Sequence, residues 1–157
     1  MEVAMTLTAM TRTQRIKPFL WFDGKAEEAA RFYVSIFKDS KIESAGSMAT
    51  RFQIEGMQFI ALNGGPQYAF SPAISFLVSC ETQAEVDELW SRLSEGGETQ
   101  QCGWLKDKFG MSWQIIPTVL GDMLEDDDDQ KSGQVMQAML QMDKIDITAL
   151  KRAYEGN

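Results

Sequence analysis

Apolar positions along this chain change period twice, in the same order each time. The run IKPFLWF at residues 16–22 is continuous and of strand length, and Asp23 after it is a possible helix cap. Ala29, Phe32, Tyr33, Ile36 and Phe37 then recur at spacings of three and four, which predicts a helix over about 26–37 with its large side chains on one face. That face needs a sheet. Further on, AISFLVSC at 73–80 is a second strand candidate. Thr82 and Glu85 after it have the spacing of a capping box, Val86, Leu89, Trp90 and Leu93 repeat the stripe, and Gly96 with Gly97 ends it.

The two stretches superpose without a gap: Phe19 falls on Phe76, Leu20 on Leu77, Phe32 on Leu89, Tyr33 on Trp90 and Ile36 on Leu93. This reads as an internal repeat. Strand-like material follows each helix. In the first half Glu55-Gly56 turns between ATRFQI and MQFIAL; in the second, ETQQCGWL and MSWQIIP flank KDKFG. The expected fold is α+β, with paired βαβββ modules at about 16–66 and 67–117 forming one domain. Residues 1–15 are expected to be frayed, and 118–157 to form C-terminal helices. Neither module is large enough to bury both faces of its sheet, so the two are expected to pair and leave a concave inner surface.

Charge and composition narrow the chemistry. A net charge of −8 argues against a nucleic-acid or anionic-membrane partner, either of which needs a basic face. No apolar run has the length of a spanning helix, and the first fifteen residues make a poor secretory signal. Two cysteines, Cys80 and Cys102, form no disulfide framework, so a cytoplasmic setting is expected. The chain has no histidine. Ser-His and Cys-His pairs are therefore excluded, and with them the commonest metal ligand.

The segments PFLWFDGKAEEAARFYVSIF, FIALNGGP, ISFLVSCETQAEVDELWSRL, CGWLKDKFGMSWQIIP and VMQAMLQMDKIDI together resemble the PhnB-like family. That family is often labelled demethylubiquinone methyltransferase-like, within the glyoxalase/bleomycin-resistance/dioxygenase (vicinal oxygen chelate) superfamily. The resemblance runs from about Ile16 to Tyr154 and implies paired βαβββ modules, commonly in a dimer. It also implies His and Glu ligands for a divalent metal on the concave sheet. Carried over one by one, those positions fall near Ile16 or Lys17, near Ser75, and at Gln114. None is a His or Glu, and neutral oxygens make a poor transition-metal site. Relatives carry a longer connection where only AGSM stands here.

The candidate ligand contacts are Trp21, Asn63, Ser75, Trp104 and Gln114, with no metal, no cofactor and no assigned catalytic residue. Neighbours in a strand alternate faces, so if Gln114 lines a cavity, Trp113 packs under the helices. Asp107 is expected to brace a turn, NGGP at 63–66 to be a turn rather than a phosphate loop, and EDDDD at 125–129 to be solvated. Met136, Met139 and Met142 are expected in core or dimer packing. A methyltransferase would need a doubly wound sheet with a glycine-rich first turn, and no such pattern occurs. The expected function is small-molecule binding by a homodimer without a superfamily metal centre. The alternatives are a metal-dependent lyase, dioxygenase or transferase, and a structural dimer without a ligand.

Overall fold

The computed structural model describes residues 14–157. The frayed segment expected over residues 1–15 lies almost wholly outside them. The described chain divides into two compact units at Tyr68/Ala69.

In the first unit β1 (Phe19–Phe22) leads into α1 (Ala26–Ile36), followed by β2 (Lys41–Ala45), β3 (Ala49–Ile54) and β4 (Met57–Asn63). The sheet order is β1-β4-β3-β2, with β1 parallel to β4 and the other pairs antiparallel. Ala26, Ala29, Ala30 and Tyr33 of α1 are buried over Leu20, Phe22, Phe52, Phe59 and Ala61. Four small or flat side chains let the helix lie close to the sheet, and the Tyr33, Phe52 and Phe59 rings stack in series. Each fully buried large side chain contributes about 1.5–3 kcal/mol of transfer free energy. The AGSM connection is a tight hairpin closed by Gly46 N–H donating to the Ala49 carbonyl at 2.9 Å.

The second unit repeats the order with β5 (Ser75–Cys80), α2 (Gln83–Ser94), β6 (Glu98–Thr99), β7 (Trp104–Lys106) and β8 (Ser112–Pro117). Its sheet order is β5-β8-β7-β6, with β5 parallel to β8. Half of the expected capping box forms: Thr82 Oγ1 accepts from the Glu85 N–H at 3.2 Å, while Glu85 reaches one residue further back and accepts from the Glu81 N–H at 3.0 Å. Val86 and Leu93 of α2, with Leu105, Trp113 and Ile115 of the sheet, are buried. Then come α3 (Thr118–Leu124), α4 (Asp129–Met139) and α5 (Ile147–Glu155). They gather a separate cluster of Leu120, Met123, Val135, Ile145 and Leu150, against which Met139, Met142 and Ile116 pack. Met136 stays exposed.

Three expectations change. The repeat is real, but in the strands it is slipped by one residue: Leu20 is 5% exposed and Leu77 is 55% exposed, so they occupy opposite faces. A one-residue shift reverses every side chain of a strand, and the matching face aligns Leu20 with Phe76 and Phe22 with Val78. Secondly, ETQQCGWL is not continuous. Cys102 (φ 60) and Gly103 (φ 81) adopt left-handed backbone and give their N–H groups to Met142 and Asp143 carbonyls, both at 2.8 Å. A Cβ on Gly103 would press on Ile115, Ile116 and Ile145, so glycine is required there twice over. Thirdly, Asp23 does not cap α1; Asn63 Oδ1 accepts from the Ala26 N–H at 2.8 Å. EDDDD is exposed at Glu125, Asp127, Asp128 and Asp129, as expected, and two of its members also bind the C-terminal helices. Asp128 caps α4 through the Gln130 and Lys131 N–H groups, and Asp126 accepts from the Tyr154 hydroxyl at 2.5 Å. That bond holds Asp126 below and Tyr154 above its ordinary pKa.

Candidate functional site

Each unit covers one sheet face with its helix and leaves the other face to be explained. In the second unit the alternation is plain: Leu105, Trp113 and Ile115 are buried on the helix side, so Trp104, Lys106, Ser112 and Gln114 take the opposite face. Ser75 and Leu77 join them from β5. Backbone register sets these residues in two rows. One runs Ser75, Ser112, Lys106, Glu98; the next runs Leu77, Gln114, Trp104. Ile116, further along the same face, is covered by the C-terminal helices.

Within these rows Gln114 Nε2 donates to Ser75 Oγ at 3.0 Å, across the diagonal between the strands. Trp104 stands half-buried beside Gln114, and Leu77 is exposed on its other side. The structure therefore brings Ser75, Trp104 and Gln114 together. Ser112, which the sequence reading passed over, lies fully buried between Ser75 and Lys106, and its hydroxyl has no hydrogen-bond partner among the described residues. An unmade bond of this kind costs about 1–3 kcal/mol. Thr50 holds the only comparable hydroxyl described, on the helix side of the first sheet. Sequence alone could have flagged Ser112 only through its strand alternation with Gln114, whose own place comes from the family resemblance.

Trp21 and Asn63 belong to the first unit. Trp21 lies on the face away from α1, where its Nε1 donates to the Gly65 carbonyl at 2.9 Å and Tyr68 meets its ring edge-on at 5.0 Å. A Cβ on Gly64 would run into the indole, which explains the glycine in NGGP and makes the stretch a seat for Trp21. Asn63 departs from the expectation that it faces a cavity. Its side chain turns to the helix side, capping α1 and donating to the Ser47 carbonyl at 3.0 Å.

The family block is organised by Asp107, which is 2% exposed. Its Oδ1 accepts from the N–H groups of Phe109 and Met111 at 2.9 and 3.0 Å, and its Oδ2 from Trp113 Nε1 at 2.9 Å. One carboxylate thus fixes both the β7–β8 turn and the core indole, and Trp113 is core as expected. A shallow groove of about 570 Å³ between α4 and α5, lined by Gln130, Gly133, Gln134, Gln137 and Ala153, contains none of the expected contacts.

The donor set at the superfamily's chelating positions is a poor match to a divalent metal. Ser75 and Gln114 offer a neutral hydroxyl and a neutral amide bonded to each other, and Ile16 and Lys17 precede β1 with Ile16 88% exposed. Among the described residues no three Asp, Glu or Cys side chains gather. These residues do not fit a transition-metal centre.

Two βαβββ units, each a four-stranded sheet with a parallel outer pair and a helix on one face, define a protein of the glyoxalase/bleomycin-resistance fold. A family model described as 3-demethylubiquinone-9 3-methyltransferase matches residues 14–116, and the chain belongs to that PhnB family. The PhnB protein of Bacillus cereus, which carries the 3-demethylubiquinone-9 3-methyltransferase name, is 32% identical over 67% of this chain and 100% of its own, with a TM-score of 0.62. A Pseudomonas aeruginosa protein is 21% identical over 67% of this chain and 98% of its own (TM-score 0.56). The fosfomycin resistance protein FosX of Listeria monocytogenes, solved with Mn(II) and sulfate, is 17% identical over 71% of this chain and 95% of its own (TM-score 0.53). These last two likenesses concern the fold alone. Curated protein sequences give no match. Among the described residues no helix is long and apolar enough to cross a membrane.

Proposed function

We propose that this chain binds a small organic molecule on the face of its second sheet away from α2, without a divalent metal at the superfamily's chelating positions. The observation that carries the reading is the Gln114–Ser75 hydrogen bond, set between Trp104 and Leu77. Where the superfamily would chelate, this chain presents neutral donors and acceptors beside an aromatic wall and an aliphatic one. Such a surface recognises shape and hydrogen bonding. The family's methyltransferase name does not set its chemistry. Neither sheet is doubly wound, and α2 is entered through a threonine cap rather than a glycine-rich phosphate turn. The same reading takes the protein to be a cytoplasmic homodimer, in keeping with two cysteines outside any disulfide and with exposed Ile16, Phe19 and Tyr68.

The test is thermal unfolding of chelator-stripped protein against a panel of divalent metals. A metal at a hundred times its Kd would stabilise by about 2.7 kcal/mol, or roughly 5–10 °C in a chain of this size. The expected response is flat. A saturable rise for one metal would overturn the metal-free reading and favour the metal-dependent lyase, dioxygenase or transferase.

A further inference from the structure

The proposed site so far has walls and an anchor but no stated ligand class. Its second row supplies one. Ser75, Ser112 and Lys106 sit side by side on β5, β8 and β7, so three polar groups line up across the sheet. Ser75 Oγ already accepts from Gln114, which leaves its hydroxyl hydrogen to donate. The Ser112 hydroxyl is buried and unpartnered among the described residues. Lys106 is half-buried, and no ion pair or hydrogen bond engages its ammonium among those residues. Glu98, its cross-strand neighbour, is exposed and makes no ion pair with it. The row can therefore donate at three adjacent points. Lone donors of that kind match an oxyanion, to which each bond is charge-assisted.

We propose that Ser75, Ser112 and Lys106 form an oxyanion subsite, and that the ligand is an aromatic acid whose ring lies against Trp104 and Leu77 in the adjoining row. This rests on the reading of the second sheet as the ligand face. The Ser112 hydroxyl is fully buried between Ser75 and Lys106, both of which meet solvent, so a ligand engages it only when those two side chains part. Left unpartnered, that hydroxyl is a cost to the fold, and a ligand oxygen would repay it. Two consequences in opposite directions follow for Ser112→Ala: the protein becomes as stable or more stable, and anion binding weakens.

The experiment uses the full chain and follows the Trp104 indole N–H by NMR, the signal being assigned with Trp104→Phe. The probes are benzoate and benzenesulfonate, with benzamide as the neutral counterpart and inorganic phosphate as a bare anion. The acids should shift the Trp104 signal saturably, with benzamide at least tenfold weaker and phosphate weaker than either acid. Lys106→Met should bring benzoate to the level of benzamide with an unchanged thermal midpoint, and Ser112→Ala should weaken benzoate without lowering the midpoint. Equal binding of benzoate and benzamide, or full benzoate affinity in Lys106→Met, overturns the oxyanion subsite and leaves the small-molecule reading intact. Phosphate binding as tightly as the acids overturns the aromatic half of the proposal. No shift of Trp104 with any probe overturns both the subsite and the reading beneath it.

Discussion

At the scale of single residues, the polar side chains that the sequence singled out divide between the proposed ligand contacts and the framework. Asp107 is framework: a buried carboxylate accepting three N–H groups cannot lose its oxygens without stranding the donors. Asp107→Ala should cost about 3 kcal/mol or more, read as a fall in the urea midpoint without a change in slope. Asp107→Asn should recover only part, since an amide offers a single oxygen in place of two. Loss of less than about 1 kcal/mol in the alanine variant would show the turn to be self-supporting. The Asp126–Tyr154 pair makes a prediction in pH. Asp126 is held below its ordinary pKa first by the Tyr154 hydroxyl and then by the Asp128 N–H, so its contribution is present near neutrality and fades as pH falls below about 4. Tyr154 is held above its ordinary value by the same bond, so its contribution fades as pH rises past about 10. Tyr154→Phe should therefore flatten the stability profile at both ends. A variant whose thermal midpoint runs parallel to the parent across that range would remove the pair from the account.

At the scale of elements, the hydrophobic period specified the helices and strands but not which face each strand presents. Leu20 and Leu77 are equivalent in sequence, and Phe19 matches Phe76 beside them, so sequence alone favours the gapless alignment. The phase became visible only through burial, because a two-residue period carries no label for inside or outside when both neighbours are apolar. Asn63 and Asp107 show a related limit. Each is a polar residue in or beside a strand, and its partners, the Ala26 N–H and the Trp113 indole, are set by tertiary packing. The placing of Ser75 with Gln114 rested on the family resemblance, and the hydrogen bond between them was open to neither periodicity nor spacing. The break in ETQQCGWL has the same origin. Residues 102 and 103 leave the strand because the chain before α5 offers carbonyls to their N–H groups. Gly103→Ala would add a methyl 2.9 Å from the Ile115 carbonyl oxygen at a positive φ. A loss of roughly 2–4 kcal/mol is expected, with faster amide exchange at Cys102 and Gly103. Unchanged exchange at those two amides would show that the C-terminal segment does not hold the bend.

At the scale of the whole molecule, net charge and exposed apolar surface pull in opposite directions. A chain carrying −8 repels its own copy, whereas Ile16 at 88%, Tyr68 at 69% and Phe19 at 57% exposure leave apolar area that a second copy could cover. Scattered apolar side chains are ordinary on a surface, so the sign of the salt effect is the more telling observable. If apolar contacts carry the proposed homodimer, screening the like charges should strengthen it. Sedimentation velocity should show tighter association at about 0.3 M salt than at about 0.03 M, where the screening length is several times longer. An interface carried by ion pairs would weaken instead. A single monomeric boundary at both ionic strengths and at high protein concentration would remove the homodimer. It would leave the proposed ligand face untouched, since Ser75, Ser112, Lys106, Trp104 and Gln114 all come from one sheet of one chain.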